Sequence, residues 1–173
     1  MSTKGVYGFK INNEYKLFMS LHDSYPENLG NKVVDFIKKT NKERLIKHVR
    51  DLNEYKLQDV KKIKNKTQFL NKVQNIDFWS DVNDVLSLLE KGLLSYFNNA
   101  VHFMNNHIAC DYAYVFNLDK DKFEVFIYGN FQVYECDINN IPKNWKHWVN
   151  LEKEKHKDKI EQHMIKLLEY QAF

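Results

Sequence analysis

"CDYAYVFNLDKDKFEVFIYGNFQVYECDI", residues 110–138, decides the fold class. Apolar and polar residues alternate with a period of two, the signature of strands with two distinct faces. In the first run Cys110, Tyr112, Tyr114 and Phe116 share one face, and Ala113 and Val115 share the other. Asp119-Lys120-Asp121 reads as a turn, and Phe123, Val125 and Ile127 alternate after it. Gly129-Asn130 is a hairpin-type turn, and "FQVYECDI" follows as a third strand. Residues 109–138 are therefore expected to form an antiparallel three-stranded meander.

A second strand signal opens the chain. "GVYGFKI" (5–11) and "YKLFMSLH" (15–22) flank Asn12-Asn13, a turn dipeptide, and predict an N-terminal hairpin. Gly5 and Gly8 in or beside the first strand mark a bulge or a close backbone approach.

Between these strand regions the apolar period changes to that of a helix. Val33, Val34, Phe36 and Ile37 predict one short helix, ended at Thr40-Asn41 with Asn41 as the cap of the next. Leu45, Ile46, Val49 and Leu52 form an amphipathic stripe, and Leu57, Val60 and Ile63 a weaker, basic one. Residues 32–75 contain no Gly or Pro and read as a basic helical insertion. Ser80-Asp81 then opens a core helix carrying Val82, Val85, Leu86, Leu89, Leu93, Leu94 and Phe97, with Gly92 in its middle and its end near Asn98-Asn99. Beyond Pro142 one long helix fits from Asn144 to Tyr170, with Trp145, Trp148, Val149, Ile160, Met164 and Leu167 on one stripe and His156 and His163 on or beside it. Strands and helices are segregated along the chain. The expectation is a single α+β domain over 1–173, with helices packed on an antiparallel sheet of about five strands.

The 173 residues are enough to bury roughly two-thirds of the unfolded surface. An aromatic share of 14% with few Gly and two Pro excludes a disordered chain. Cys110 and Cys136 make neither a disulfide framework nor a metal motif. "MSTKGVYGFK" lacks the apolar core of a signal peptide, and no run approaches a membrane span, so a cytoplasmic protein is expected. Charge is unevenly spread: residues 32–72 hold 13 Lys or Arg against 5 Asp or Glu, in a chain whose net charge is +3. Such a block is either a solvated helical face or a surface for phosphates or an acidic partner.

Candidate chemistry concentrates at 22–32. His22-Asp23-Ser24 contains the residue types of a hydrolase triad, but neighbouring side chains in extended backbone point apart, and a triad needs convergent geometry. "DSYPENLGN" leads from a Pro turn into a helix, whose N-terminal N–H groups suit an anion. The alternative is a plain capped turn. The ligand reading assigns Asp23, Ser24, Tyr25, Asn28, Gly30, Asn31 and Lys32 to the loop and offers Tyr7 and Tyr25 as stacking rings. Removal of Met1 would expose Ser2 as an N-terminal nucleophile, the amidohydrolase alternative. The basic block Lys38–Lys66 offers nonspecific nucleic-acid binding, although Arg44 and Arg50 are its only arginines. His102 and His107, and His156 and His163, lack the spacing of a helical zinc pair, and no cofactor motif occurs.

Gly5, Gly8 and Phe9, followed by Asp23-Ser24-Tyr25-Pro26 and Leu29-Gly30, resemble the opening of a group of small, mostly uncharacterised phage and bacterial proteins. The likeness covers about 30 residues. It implies a phage or mobile-element setting and brings no activity with it. In that setting a non-enzymatic accessory protein is expected, an anti-defence factor that binds a host protein or sequesters a nucleotide signal.

Overall fold

The computed structural model describes residues 3–54, 81–106 and 109–171. The expected third basic helix (Leu57, Val60, Ile63), the remainder of the block as far as residue 75, and Ser2 fall outside the described residues.

Seven strands and six helices are described. Strand β1 (Gly5–Ile11) and β2 (Glu14–Ser20) form the expected hairpin, closed by Asn12 and Asn13 with φ of 52° and 61°. A π-helical turn, Pro26–Gly30, runs directly into α1 (Asn31–Lys39), and α2 (Lys42–Asp51) follows. The Asn41 side chain accepts the Arg44 N–H at 2.9 Å, which makes it the cap that the sequence predicts. A short strand β3 (Asn53–Glu54) precedes the undescribed stretch, and α3 (Val82–Glu90) comes after it. Then come β4 (Tyr96–Phe97), α4 (Val101–Met104) and the meander β5 (Tyr112–Asn117), β6 (Lys122–Ile127) and β7 (Phe131–Asp137). Helices α5 (Trp145–Lys155) and α6 (Lys157–Gln171) close the chain.

The main sheet has the order β2-β1-β5-β6-β7, an α+β arrangement of five strands. It is mixed rather than wholly antiparallel, because β1 runs parallel to β5, with Gly5 opposite Tyr112 and Phe9 opposite Phe116. Alternation specifies which face a side chain takes and says nothing about which edge of a hairpin turns inward. The apolar edge, β1, turns inward, and β2 with its polar start "EYK" is left outermost.

Both faces of the sheet are covered. Tyr7, Phe9, Phe18, Tyr114, Phe116, Phe123 and Val125 meet α1, α2, α3, α5 and α6 through Val33, Leu45, Val49, Leu89, Trp145, Val149 and Ile160. Val6, Leu17, Ala113, Val115 and Phe126 form a smaller cluster on the other face with Ala100, Met104 and Cys110. Cys110 thus precedes β5 and packs with Ala113 and Val115, not with Tyr112 and Tyr114 as strict alternation predicts. Its thiol is free, and burial pushes its pKa up to about 12.

Three expected boundaries move. Gly92 ends the core helix instead of lying within it: with φ of +66° it terminates α3, and Leu93 beyond it is 64% exposed. The His48 ring fills the space beside Gly92 and bonds the Leu89 carbonyl through Nδ1 at 2.9 Å, joining α2 to α3. The single C-terminal helix is two, divided at His156, where Glu152 lies 3.3 Å from the imidazole and Phe131 packs against both His156 and His163. The hairpin turn at 129–130 begins one residue earlier, with left-handed backbone at Tyr128 and Gly129 (φ 45° and 85°).

Candidate functional site: the signature loop and the β2 cleft

The segment with the motif is folded tightly against the sheet. Ser24 is fully buried; its N–H donates to Thr3 Oγ1 at 3.0 Å and its Oγ to the Ser20 carbonyl at 3.3 Å. The Ser24 carbonyl accepts the Tyr114 hydroxyl at 2.9 Å. Asp23 takes a left-handed backbone (φ 51°) and accepts the Tyr25 hydroxyl at 3.1 Å. That bond to the carboxylate raises the Tyr25 pKa. The Ser24 hydroxyl therefore faces backbone, and the Asp23 carboxylate faces Tyr25.

The backbone donors of residues 28–31 are engaged. Asn28 N–H and Gly30 N–H donate to the Tyr25 carbonyl, and Leu29 N–H donates to the Asp23 carbonyl. Asn31 N–H reaches the Asn28 and Pro26 carbonyls, and its side chain donates to the Glu27 carbonyl at 2.8 Å. The π-helical turn thus engages N–H groups, those of residues 28–31, of the kind that a free helix start would offer to an anion. At Gly30 a Cβ would sit 2.6 Å from Trp145 Cη2 and 3.0 Å from Tyr114 Cε1, so the missing side chain makes room for Trp145. At Gly5 a Cβ would sit 2.8 Å from Ser24 Cβ.

The remaining residues of the expected site lie apart. Tyr7 is 1% exposed in β1, with its ring centroid 5.6 Å from that of Phe18; such burial leaves no ring face for an outside ligand. Burial also raises its phenol pKa, with Asp81 adding to the effect. Tyr25 is 38% exposed. Lys32 lines a groove between α1 and α3 with Phe36, Lys39, Leu86 and Glu90. The loop thus brings Asp23, Ser24, Tyr25, Asn28, Gly30 and Asn31 together, and leaves Tyr7 and Lys32 outside that cluster.

A larger opening lies at the other end of β2. A cleft of about 640 Å³ is bounded by the start of β2, the end of α2, β3, β4 and α4. Glu14, Tyr15, Arg50, Asn53, Glu54 and His102 line it. Lys16 organises it. Its ammonium donates to the carbonyls of Val49 (2.8 Å), Arg50 (3.1 Å) and Leu52 (2.8 Å), so it caps the negative end of α2. Burial lowers its pKa, and Glu14 and Asp51 oppose that shift. Asn99 acts as a short strand mimic on the outer edge of β2: Oδ1 accepts Leu17 N–H at 3.2 Å and Nδ2 donates to the Tyr15 carbonyl at 2.7 Å. Ala100 N–H adds a bond to the Leu17 carbonyl at 2.9 Å. Lys10, opposite Tyr15 in the hairpin, lies 4.9 Å from its ring centroid.

Of the cleft residues, the sequence marks Arg50 only within the basic block and His102 only within a rejected metal pair. Lys16 carried a signal, a charge inside the apolar run "YKLFMS" on the face that Phe9 and Phe18 use. In the basic block Lys38, Lys39, Arg44, Lys47 and Arg50 are exposed on α1 and α2, while Lys42 pairs with Asp121. Among the described residues no group of three or more His, Cys, Asp or Glu side chains is placed to hold a metal ion, and no helix is long and apolar enough to cross a membrane. No protein-family model, curated protein or solved structure matches the chain.

Proposed function

We propose that the protein is a non-enzymatic accessory protein that acts by binding, and that the β2 cleft is where it holds a small anionic ligand. The observation that carries this reading is that Arg50 and His102 both line a cavity of about 640 Å³, within the size range of small-molecule sites. A guanidinium offers a planar fork to a phosphate or carboxylate, and an imidazole can add a further donor. The cleft is preferred over the 23–31 loop because the loop's N–H groups at residues 28–31 already have carbonyl partners.

The likeness of the first 30 residues to small phage proteins supports the setting: an anti-defence factor in the host cytoplasm that sequesters a nucleotide signal. Titration calorimetry against linear and cyclic nucleotides tests it. Binding that weakens in Arg50→Ala and is kept in Tyr25→Ala is the expected result. Absence of heat with every nucleotide refutes sequestration.

A further inference from the structure

The polar groups of the cleft divide into those already engaged and those still available. An ammonium has three N–H bonds, and Lys16 directs all three at the carbonyls that end α2. Asn99 uses both its oxygen and its nitrogen on the edge of β2. Lys16 has no N–H left for a ligand, and Asn99 is held on the edge of β2 by one bond at each of its polar atoms. Among the described residues, the side chains of Arg50, His102, Glu14 and Glu54 are exposed and make no hydrogen bond or ion pair. The Tyr15 ring also lines the cleft, with Lys10 4.9 Å from its centroid and part of the ring packed against the cluster of Val6 and Leu17.

This inventory constrains the ligand. Two carboxylates need hydrogen-bond donors from it, and they oppose a dense negative charge. A free phosphate supplies no aromatic face, and a triphosphate brings more negative charge than one guanidinium and one imidazole can match. A ribonucleoside monophosphate supplies one phosphoryl group, a vicinal diol and a flat base. Resting on the binding reading above, we infer that the cleft takes a nucleotide of this class. Arg50 and His102 receive the phosphoryl oxygens, Glu14 and Glu54 accept from the ribose hydroxyls, and the base lies against the part of Tyr15 that lines the cleft. Lys16 is a positioning residue, because it fixes the last turn of α2 that carries Arg50.

The test is calorimetry with the full chain against the four ribonucleoside monophosphates, their 2′-deoxy forms, ATP, inorganic phosphate and the dipeptide Gly-Glu. At least one ribonucleotide should bind, the 2′-deoxy form roughly tenfold more weakly, as expected when a hydrogen bond to a charged group is lost, and ATP also more weakly because of its added negative charge beside Glu14 and Glu54. Arg50→Ala should weaken it by a similar factor or more, and the double variant Glu14→Gln/Glu54→Gln should erase the preference for the ribose form. All three positions are exposed, and a thermal melt on each variant checks the fold. If phosphate or Gly-Glu binds as tightly as the best nucleotide and depends on Arg50, the ligand class is overturned and the cleft reading stands. If nothing binds, or if binding is indifferent to Arg50→Ala, both fall.

Discussion

The two ends of β2 differ in kind. At its C-terminal end lies the most distinctive sequence in the chain, Asp23 to Gly30, where the Asp23, Ser24 and Tyr25 side chains and the N–H groups of 28–30 are bonded within the protein. At its N-terminal end lies plain sequence, "EYK", beside a cleft whose charged side chains are open. Distinctive residues can record a packing constraint: Gly5 and Gly30 leave room for Ser24 and Trp145, and Ser24 joins Thr3, Ser20 and Tyr114. Open chemistry needs no unusual residue, only ordinary ones held in place by Lys16 and Asn99.

The contrast breaks most directly at Gly30. Gly30→Val would drive methyl groups into Trp145 and Tyr114, at a cost of about 3 kcal/mol or more. Urea unfolding measures this, and wild-type stability would show that the loop is not the packed element described. At the other end of β2, Lys16→Met should be the exception in the cleft. It leaves the last carbonyls of α2 without their donor, a loss of about 2 kcal/mol by the same measurement. Tyr114→Phe removes the donor to the buried Ser24 carbonyl and should lose about 1–2 kcal/mol, with the ring packing kept.

A smaller effect is read by pH. The Asn13 and Asn12 N–H groups hold the Asp119 carboxyl below the ordinary range, joining the β5–β6 turn to the first hairpin. A depressed folded pKa gives stability that is present above the unfolded value near 4 and is lost as pH falls through the folded value. Asp119→Asn should therefore flatten the acid limb of the stability curve below about pH 4. The smallest expected change is that of Arg50→Ala, within about 0.5 kcal/mol of wild type, because its side chain is exposed. A large loss there would make Arg50 structural and blur the distinction between the two ends.

The alternating runs at 5–20 and 112–137 made the strands legible, because period two is a property of local backbone. Asn41 and Asp81 marked the starts of α2 and α3 because a cap acts within its own turn. The parallel β1–β5 pairing was not legible, since it depends on which hairpin edge turns inward. Gly92 was ambiguous for a similar reason: an apolar pattern continues through Leu93 and Leu94, and only the folded chain, with the left-handed backbone at Gly92 and His48 beside it, places the helix end there. The loop's turn at Pro26 was readable from sequence, while the capture of its N–H groups by a π-helical turn was not. The cleft could not be read at all, because Glu14, Arg50, Glu54 and His102 meet only in the folded chain.

The parallel pairing of β1 with β5 also bears on how the chain is made. Gly5 and Tyr112 are neighbours in space and 107 positions apart in sequence, so the centre of the sheet cannot close until the ribosome has released the meander. Until then the N-terminal hairpin presents β1, its most apolar strand, as an open edge of the kind that recruits other chains. The tight fastening of the loop at 23–30 gives the early chain a local structure that needs few distant partners, but Tyr114 and Trp145 are among those it does need. Completion of the sheet is therefore a late event in synthesis.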